Sequence, residues 1–358
     1  MWVSRVEISN KLVWAICVTK SYGNVGYNIV IHLNVVIDAC LKGRKTMDLI
    51  ESIYYGDYTA KINLSRGANC FSIRKNDFKI LREPDYSSEL DNPYLYGMPI
   101  LFPVNRISEG VFEFEGRKYI FDINEPETNC HLHGKLHTSE FKVIYKTDNK
   151  IVCSYRPSSD DPYVQVGHDY SVEIEYALYE DGFHQYVTVE NLSNKNMPVM
   201  LGFHTTFNTL FANGINDEIF VYADISEEYE RNMKTYLPTG KILEFDDVSV
   251  SLEKGCFKPF DGYISRHYKA SPNGKMIIYD RNNNLSIIYE NDEKYQFRLI
   301  FNRGEYICLE PQNCMADCAN SMFDRVQTGF DYIQPNKKKK YISKIYIHDG
   351  DARKKVQQ

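Results

Sequence analysis

The chain has 358 residues, 43% of them hydrophobic and 14% aromatic, with a formal net charge of −6. It is long enough to bury a sizeable core, and its acidic balance excludes a nucleic-acid footprint. The nine cysteines are odd in number and irregularly spaced, which excludes a disulfide framework and fits a reducing cytoplasm.

The first 46 residues differ from the rest: they hold both tryptophans, six basic residues and two acidic ones. Their most apolar run, "VGYNIVIHLNVVIDACL" (25–41), is interrupted by Asn, His and Asp and is too short and polar for a membrane span. No signal-peptide layout precedes it. The expectation is an atypical N-terminal extension over 1–46, poorly ordered or not natively translated. A domain over 47–350 and a tail over 351–358 follow it.

"MDLIESIYY" (47–55) reads as one short helix. From about residue 57 the pattern has period two. "GVFEFEGRKYIF" (110–121) predicts a hairpin turning at Glu115-Gly116. In "YSVEIEYALYEDGFHQYVTVE" (170–190), Tyr170, Val172, Ile174, Tyr176 and Leu178 share a face before the turn Glu180-Asp181-Gly182. "GKMIIYDRNNNLSIIYE" (274–290) repeats the design with an Asn-rich turn. The lysine run 337–340 reads as a charged hairpin turn, and "YISKIYI" (341–347) as a last strand. No Pro/Gly/Ser linker divides 57–348. The class is all-β: one large antiparallel β-sandwich.

Four stretches carry candidate chemistry. "GMPILFPVNRISEGVFEFEG" (97–116) brings Asn105 and Arg106 ahead of a hairpin. "NCHLHGKLHTSEF" (129–141) packs His131, His133 and His137 into seven positions. On a strand, His131 and His133 share a face, which allows a two-His metal site. A catalytic zinc needs a third ligand, and only His137 offers itself; a sugar-binding rim and incidental strand histidines are the other readings that these residues leave open. His133 is the better rim residue, because Gly134 lets the backbone approach a ligand, and His137 reads as surface. "LGFHTTFN" (201–208) sets His204 between apolar and hydroxyl neighbours, and "YICLEPQN" (306–313) ends an apolar strand on Glu310, with Pro311 as its stop. A carboxylate there is costly unless partnered or functional.

Taken in this order, these stretches resemble the aldose 1-epimerase (mutarotase) family, from about Tyr58 to Ile347. "YLPTGKIL" (236–243) is similar to the family's connecting strand. The resemblance implies the galactose mutarotase-like supersandwich and an isomerase that interconverts α and β anomers of a hexose or related aldose. It implies no metal or other cofactor, a small-molecule sugar as partner, and neither nucleic acid nor membrane. By resemblance His204 matches the general acid and Glu310 the general base. His133, Asn105 and Arg106 match substrate contacts, as does Asp261 in "FDGYIS". A carboxylate near His204 is expected to favour its charged form.

The chain departs from the family pattern in two places. Thr205 and Thr206 stand where typical members have Pro and Tyr after the histidine, and Lys135 stands where they have a second Gly. These changes are expected to alter the pocket wall. Two alternatives stand beside the mutarotase reading. A hexose-6-phosphate epimerase needs extra cations at the rim, with Lys135 the candidate. A non-catalytic carbohydrate-binding protein does not need both His204 and Glu310.

Overall fold

A computed structural model describes residues 2–8, 11–17, 49–84, 92–209, 218–260, 262–303 and 305–355. The chain divides into two compact units, residues 1–47 and 48–358. In the first, Trp2–Ile8 and Lys11–Cys17 form an antiparallel hairpin.

The second unit is built on two eight-stranded sheets. One runs, in spatial order, Lys142–Lys146, Lys150–Tyr155, Tyr170–Tyr179, Gly182–Asn191, Lys338–Asp349, Leu285–Asn291, Lys275–Asp280 and Ile219–Ala223. The other runs Pro238–Leu243, Ile225–Arg231, Ser265–Ala270, Phe297–Asn302, Tyr306–Gln312, Gly202–Phe203 and Ile100–Leu101, with Thr205–Asn208 also paired to Tyr306–Gln312. Every named pairing is antiparallel. Period two decides what each strand buries. Along Gly182–Asn191, Phe183, Gln185, Val187, Val189 and Asn191 are buried while the residues between them are half exposed. Residues of both sheets, among them Ile174, Tyr176, Val187, Ile300 and Leu309, belong to one hydrophobic core. Each such side chain contributes roughly 1.5–3 kcal/mol by leaving water. The fold is a large antiparallel β-sandwich.

The expected hairpins form. Phe114 pairs with Arg117 around Glu115-Gly116, both at positive φ, the backbone a tight two-residue turn demands. Tyr179 pairs with Gly182, and Asp280 with Leu285.

Three local expectations are corrected. Residues 50–55 are a strand, not a helix, paired to Tyr58–Asn63 around Gly56-Asp57 in a four-stranded sheet. Ile50, Ile53, Tyr54 and Tyr55 are strand-favouring types, and the turn at Gly56 lets them pair locally. Lys338, Lys339 and Lys340 are not a turn but the start of the last strand, opposite Glu190, Val189 and Thr188. The strand holding Glu310 does not stop at Pro311 but continues to Gln312. Pro311 lacks a backbone donor, yet it stays in register with Arg298. Among the described residues no helix is long and apolar enough to cross a membrane.

Candidate active site

Strand register brings the two principal candidates together. Gly202 pairs with Gln312 and Thr205 with Leu309, so His204 falls directly opposite Glu310. His204 sits in the break between Gly202–Phe203 and Thr205–Asn208, where its backbone N–H donates to the Pro99 carbonyl at 3.1 Å. Gly202 is required for this approach: a Cβ there would lie 2.6 Å from Val104 Cγ2 and 3.0 Å from the Pro311 carbonyl oxygen. The outcome is His204 Nε2 at 3.2 Å from Glu310 Oε1, with Glu310 only 1% exposed.

Both groups line a cavity of about 240 Å³. Its sheet side follows the same alternation: Leu299 pairs with Glu310 and Phe301 with Ser265 across neighbouring strands, and all four face the cavity. Tyr94 rests on His204 at a ring distance of 6.0 Å and on His133 at 4.9 Å.

Burial sets the proton inventory. It pushes the His204 imidazole down to about 4, and the charge of His137 acts in the same direction. It pushes the Glu310 carboxyl up to about 8, against a hydrogen bond from Gln312 and the charges of Arg231 and Arg106. The expectation that a nearby carboxylate holds His204 charged is therefore reversed: desolvation disfavours both charges. Near neutral pH the pair holds one proton, on the carboxyl group.

A hydrogen-bonded chain supports the pair. Gln312 Nε2 donates to Glu310 Oε2 at 3.3 Å, and Asn105 Nδ2 donates to Gln312 Oε1 at 3.1 Å. Asn105 is fully buried at φ 61°, and its Oδ1 accepts from the Arg106 backbone N–H at 3.0 Å. Arg106 lines the cavity with its guanidinium bound twice to Glu125, both contacts at 2.7 Å. His133 also lines the cavity.

The three histidines separate. The strand Cys130–Leu132 ends before His133, which turns to φ 64°, so His131 and His133 do not share a strand face. His131 Nδ1 meets the Asp122 carbonyl at 2.7 Å, away from the cavity. His137 is buried, not surface, with its ring 4.7 Å from that of Tyr94. It sits on a short turn, Leu136–Thr138, packed so closely under Gly67 that a Cβ on Gly67 would lie 2.7 Å from the His137 Cα. Gly134 is needed by the chain itself: a Cβ there would lie 1.9 Å from the Phe102 carbonyl oxygen. Among the described residues no group of three His, Cys, Asp or Glu side chains is arranged to hold a metal ion.

Neither threonine after His204 reaches the cavity. Thr205 Oγ1 contacts the Tyr289 hydroxyl at 3.1 Å, and Thr206 Oγ1 lies 3.4 Å from Cys308 Sγ. Lys135 pairs with Asp122 at 3.6 Å and also stays outside. Asp261 lies outside the described residues. The structure adds Gln312, Tyr94, Arg231, Tyr236 and Tyr263. Gln312 was signalled by its two-residue spacing from Glu310, which puts both on one face. Arg231, inside "ISEEYER", reads as one more charge on a half-exposed strand.

The family model for aldose 1-epimerase matches residues 55–330. The chain belongs to the aldose 1-epimerase family. Solved structures of similar proteins agree in fold. A galactose mutarotase-like protein from Clostridium acetobutylicum is 26% identical with a TM-score of 0.76, over 84% of this chain and 99% of that one. A galactose mutarotase-like protein from Lactobacillus casei is 18% identical with a TM-score of 0.65, over 84% and 100%. A galactose 1-epimerase from Lactobacillus acidophilus is 12% identical with a TM-score of 0.61, over 85% and 100%.

Proposed function

We propose that this protein is an aldose 1-epimerase that interconverts the α and β anomers of an aldose by acid–base ring opening and closure. The observation that supports this most directly is the buried His204–Glu310 pair, 3.2 Å apart at the wall of one cavity.

Ring opening requires one proton taken from the C1 hydroxyl and one given to the ring oxygen. The C1–O5 bond then breaks, C1 becomes an aldehyde, and rotation about C1–C2 exposes its other face. Once the shared proton passes from the carboxyl group to His204 Nε2 across their 3.2 Å contact, the Glu310 carboxylate and His204 imidazolium perform this exchange and end as carboxyl and neutral imidazole. That end state is the proton distribution burial favours. Closure on the other face reverses both transfers, so the pair returns unchanged. Each positioned acid or base contributes ~10²–10⁴ in rate. Asn105 and Gln312 fix the carboxyl group, while His133 and Arg106 hold hydroxyls.

NMR exchange spectroscopy on anomers of an aldose panel tests the reading. Wild-type protein is expected to accelerate exchange of at least one aldose, and the Glu310→Gln protein to abolish the acceleration. No acceleration on any aldose overturns it.

A further inference from the structure

Four rings meet at the cavity that holds His204 and Glu310. Centre to centre, the Tyr94 ring lies 4.7 Å from that of His137, 4.9 Å from that of His133 and 6.0 Å from that of His204. It comes from a short turn, Pro93–Leu95, capped by Asn92, whose Oδ1 accepts from the Tyr94 backbone N–H at 3.2 Å. The strand that follows His204 holds this turn in place. Thr206 donates from its backbone N–H to the Gly97 carbonyl at 2.9 Å, and from Oγ1 to the Tyr94 carbonyl at 3.4 Å. His137, buried under Gly67 and outside the cavity, backs the ring.

This packing fixes the ring and leaves its tip uncommitted. Among the described residues the hydrogen bonds of Tyr94 are the two main-chain ones just given, although its side chain lines the cavity. Neighbouring polar groups are already engaged: Arg106 holds Glu125, Asn105 holds Gln312, and Gln312 holds Glu310. Burial pushes the Tyr94 phenol up to about 12, and the charge of Glu125 acts in the same direction. The phenol therefore keeps its proton and can both donate and accept. Tyrosine suits such a place, because its apolar ring packs while its polar tip faces a ligand. In a cavity of about 240 Å³ that tip and the His204–Glu310 pair face one sugar ring. The pair takes C1 and the ring oxygen, which leaves Tyr94 a hydroxyl on another carbon.

We propose that Tyr94 is a specificity-determining residue, whose hydroxyl binds one sugar hydroxyl other than that on C1 and so selects aldoses that carry it. This rests on the anomer-exchange reading of the same site and names which aldoses the site accepts. A sugar that lacks the matching hydroxyl leaves the phenol unpaired in a half-buried wall, and a site built to bond a hydroxyl rejects the analogue without it.

The test pairs Tyr94→Phe, which keeps the ring and its contacts, with each monodeoxy form of the aldose that is exchanged fastest. On the parent sugar Tyr94→Phe is expected to raise KM ~10-fold with a smaller change in kcat. One deoxy sugar is expected to lose about the same factor with wild-type protein and nothing further with Tyr94→Phe, while the others lose equally from parent to deoxy form in both proteins. That coupling marks a contact; a merely structural role lowers every sugar by one factor. A uniform loss, or a Tyr94→Phe protein that matches wild type on all sugars, overturns the proposal and leaves the epimerase reading standing. If no aldose is exchanged, that reading fails, and calorimetric binding of glucose, galactose and their monodeoxy forms decides this one. The same coupling in Kd sustains it; its absence, or no binding of any of these sugars, overturns it.

Discussion

Asn105 and His133 hold each other twice, both in left-handed backbone. The His133 N–H donates to the Asn105 carbonyl at 3.0 Å, and the Asn105 N–H donates to His133 Nδ1 at 3.3 Å. Because Nδ1 accepts, the His133 proton sits on Nε2. Burial lowers its pKa well below the ordinary value, with His204 and Arg106 adding to the shift, so the ring is a neutral, fixed donor at the cavity wall.

His133→Ala is therefore expected to raise KM ~10-fold while kcat changes less, because a donor to a sugar hydroxyl acts in ground and transition state alike. Steady-state exchange kinetics across sugar concentration measure the split. A loss confined to kcat would place His133 in the proton transfer instead.

The adjoining glycine is a stability element. Gly134→Ala sets a Cβ against the Phe102 carbonyl oxygen at φ 63°, so the chain must shift or unfold. A loss of roughly 3–5 kcal/mol is expected, from overpacking plus a disfavoured backbone. Gly116→Ala is the control: it also has positive φ but nothing within 4 Å, and about 1–2 kcal/mol is expected. Equal urea midpoints for the two variants would contradict the steric account.

How much of this was legible before the structure depends on range. Alternation along Tyr170–Asn191 and the turn at Glu115-Gly116 depend on neighbours in sequence, so the hairpins could be read directly. The opposition of His204 and Glu310 depends on register between strands about a hundred residues apart. Only the ordered motifs of the family pointed to it. The Asn105–Gln312 bond spans 207 positions and had no local signal. His137 was misread because polarity suggested exposure, whereas packing under Gly67 and against Tyr94 buries it. Tyr94 became visible only when the fold set its ring against His133, His137 and His204.

The catalytic pair makes a kinetic prediction. Glu310→Gln keeps the volume and removes the exchangeable proton; His204→Asn keeps a polar group and removes the second proton site. Each is expected to lower kcat by ~10²–10⁴. The double variant is expected to lose less than the product of the singles, because the two act as one unit. A wild-type rate in Glu310→Gln would falsify the assignment of the base.

The same proton inventory predicts different pH profiles for activity and stability. Activity needs the pair to hold one proton, so kcat/KM is expected to be flat between about pH 4 and pH 8. It falls on the acid side as His204 charges beside a protonated Glu310, and on the alkaline side as Glu310 loses its proton. Stability follows the raised carboxyl. Its pKa is about 8 in the folded chain against an ordinary value of 4.5. The fold therefore has its full Glu310 contribution below about pH 4.5 and loses it progressively as pH rises through 8. Glu310→Gln cannot ionise, so its melting temperature is expected to gain on wild type across that interval, by an amount worth on the order of a few kcal/mol. Thermal melts of both proteins at pH 5, 7 and 9 measure the gap. A gap that stays constant or narrows would mean that Glu310 is ionised in the folded state throughout, and that the imidazole, not the carboxyl group, holds the shared proton at rest.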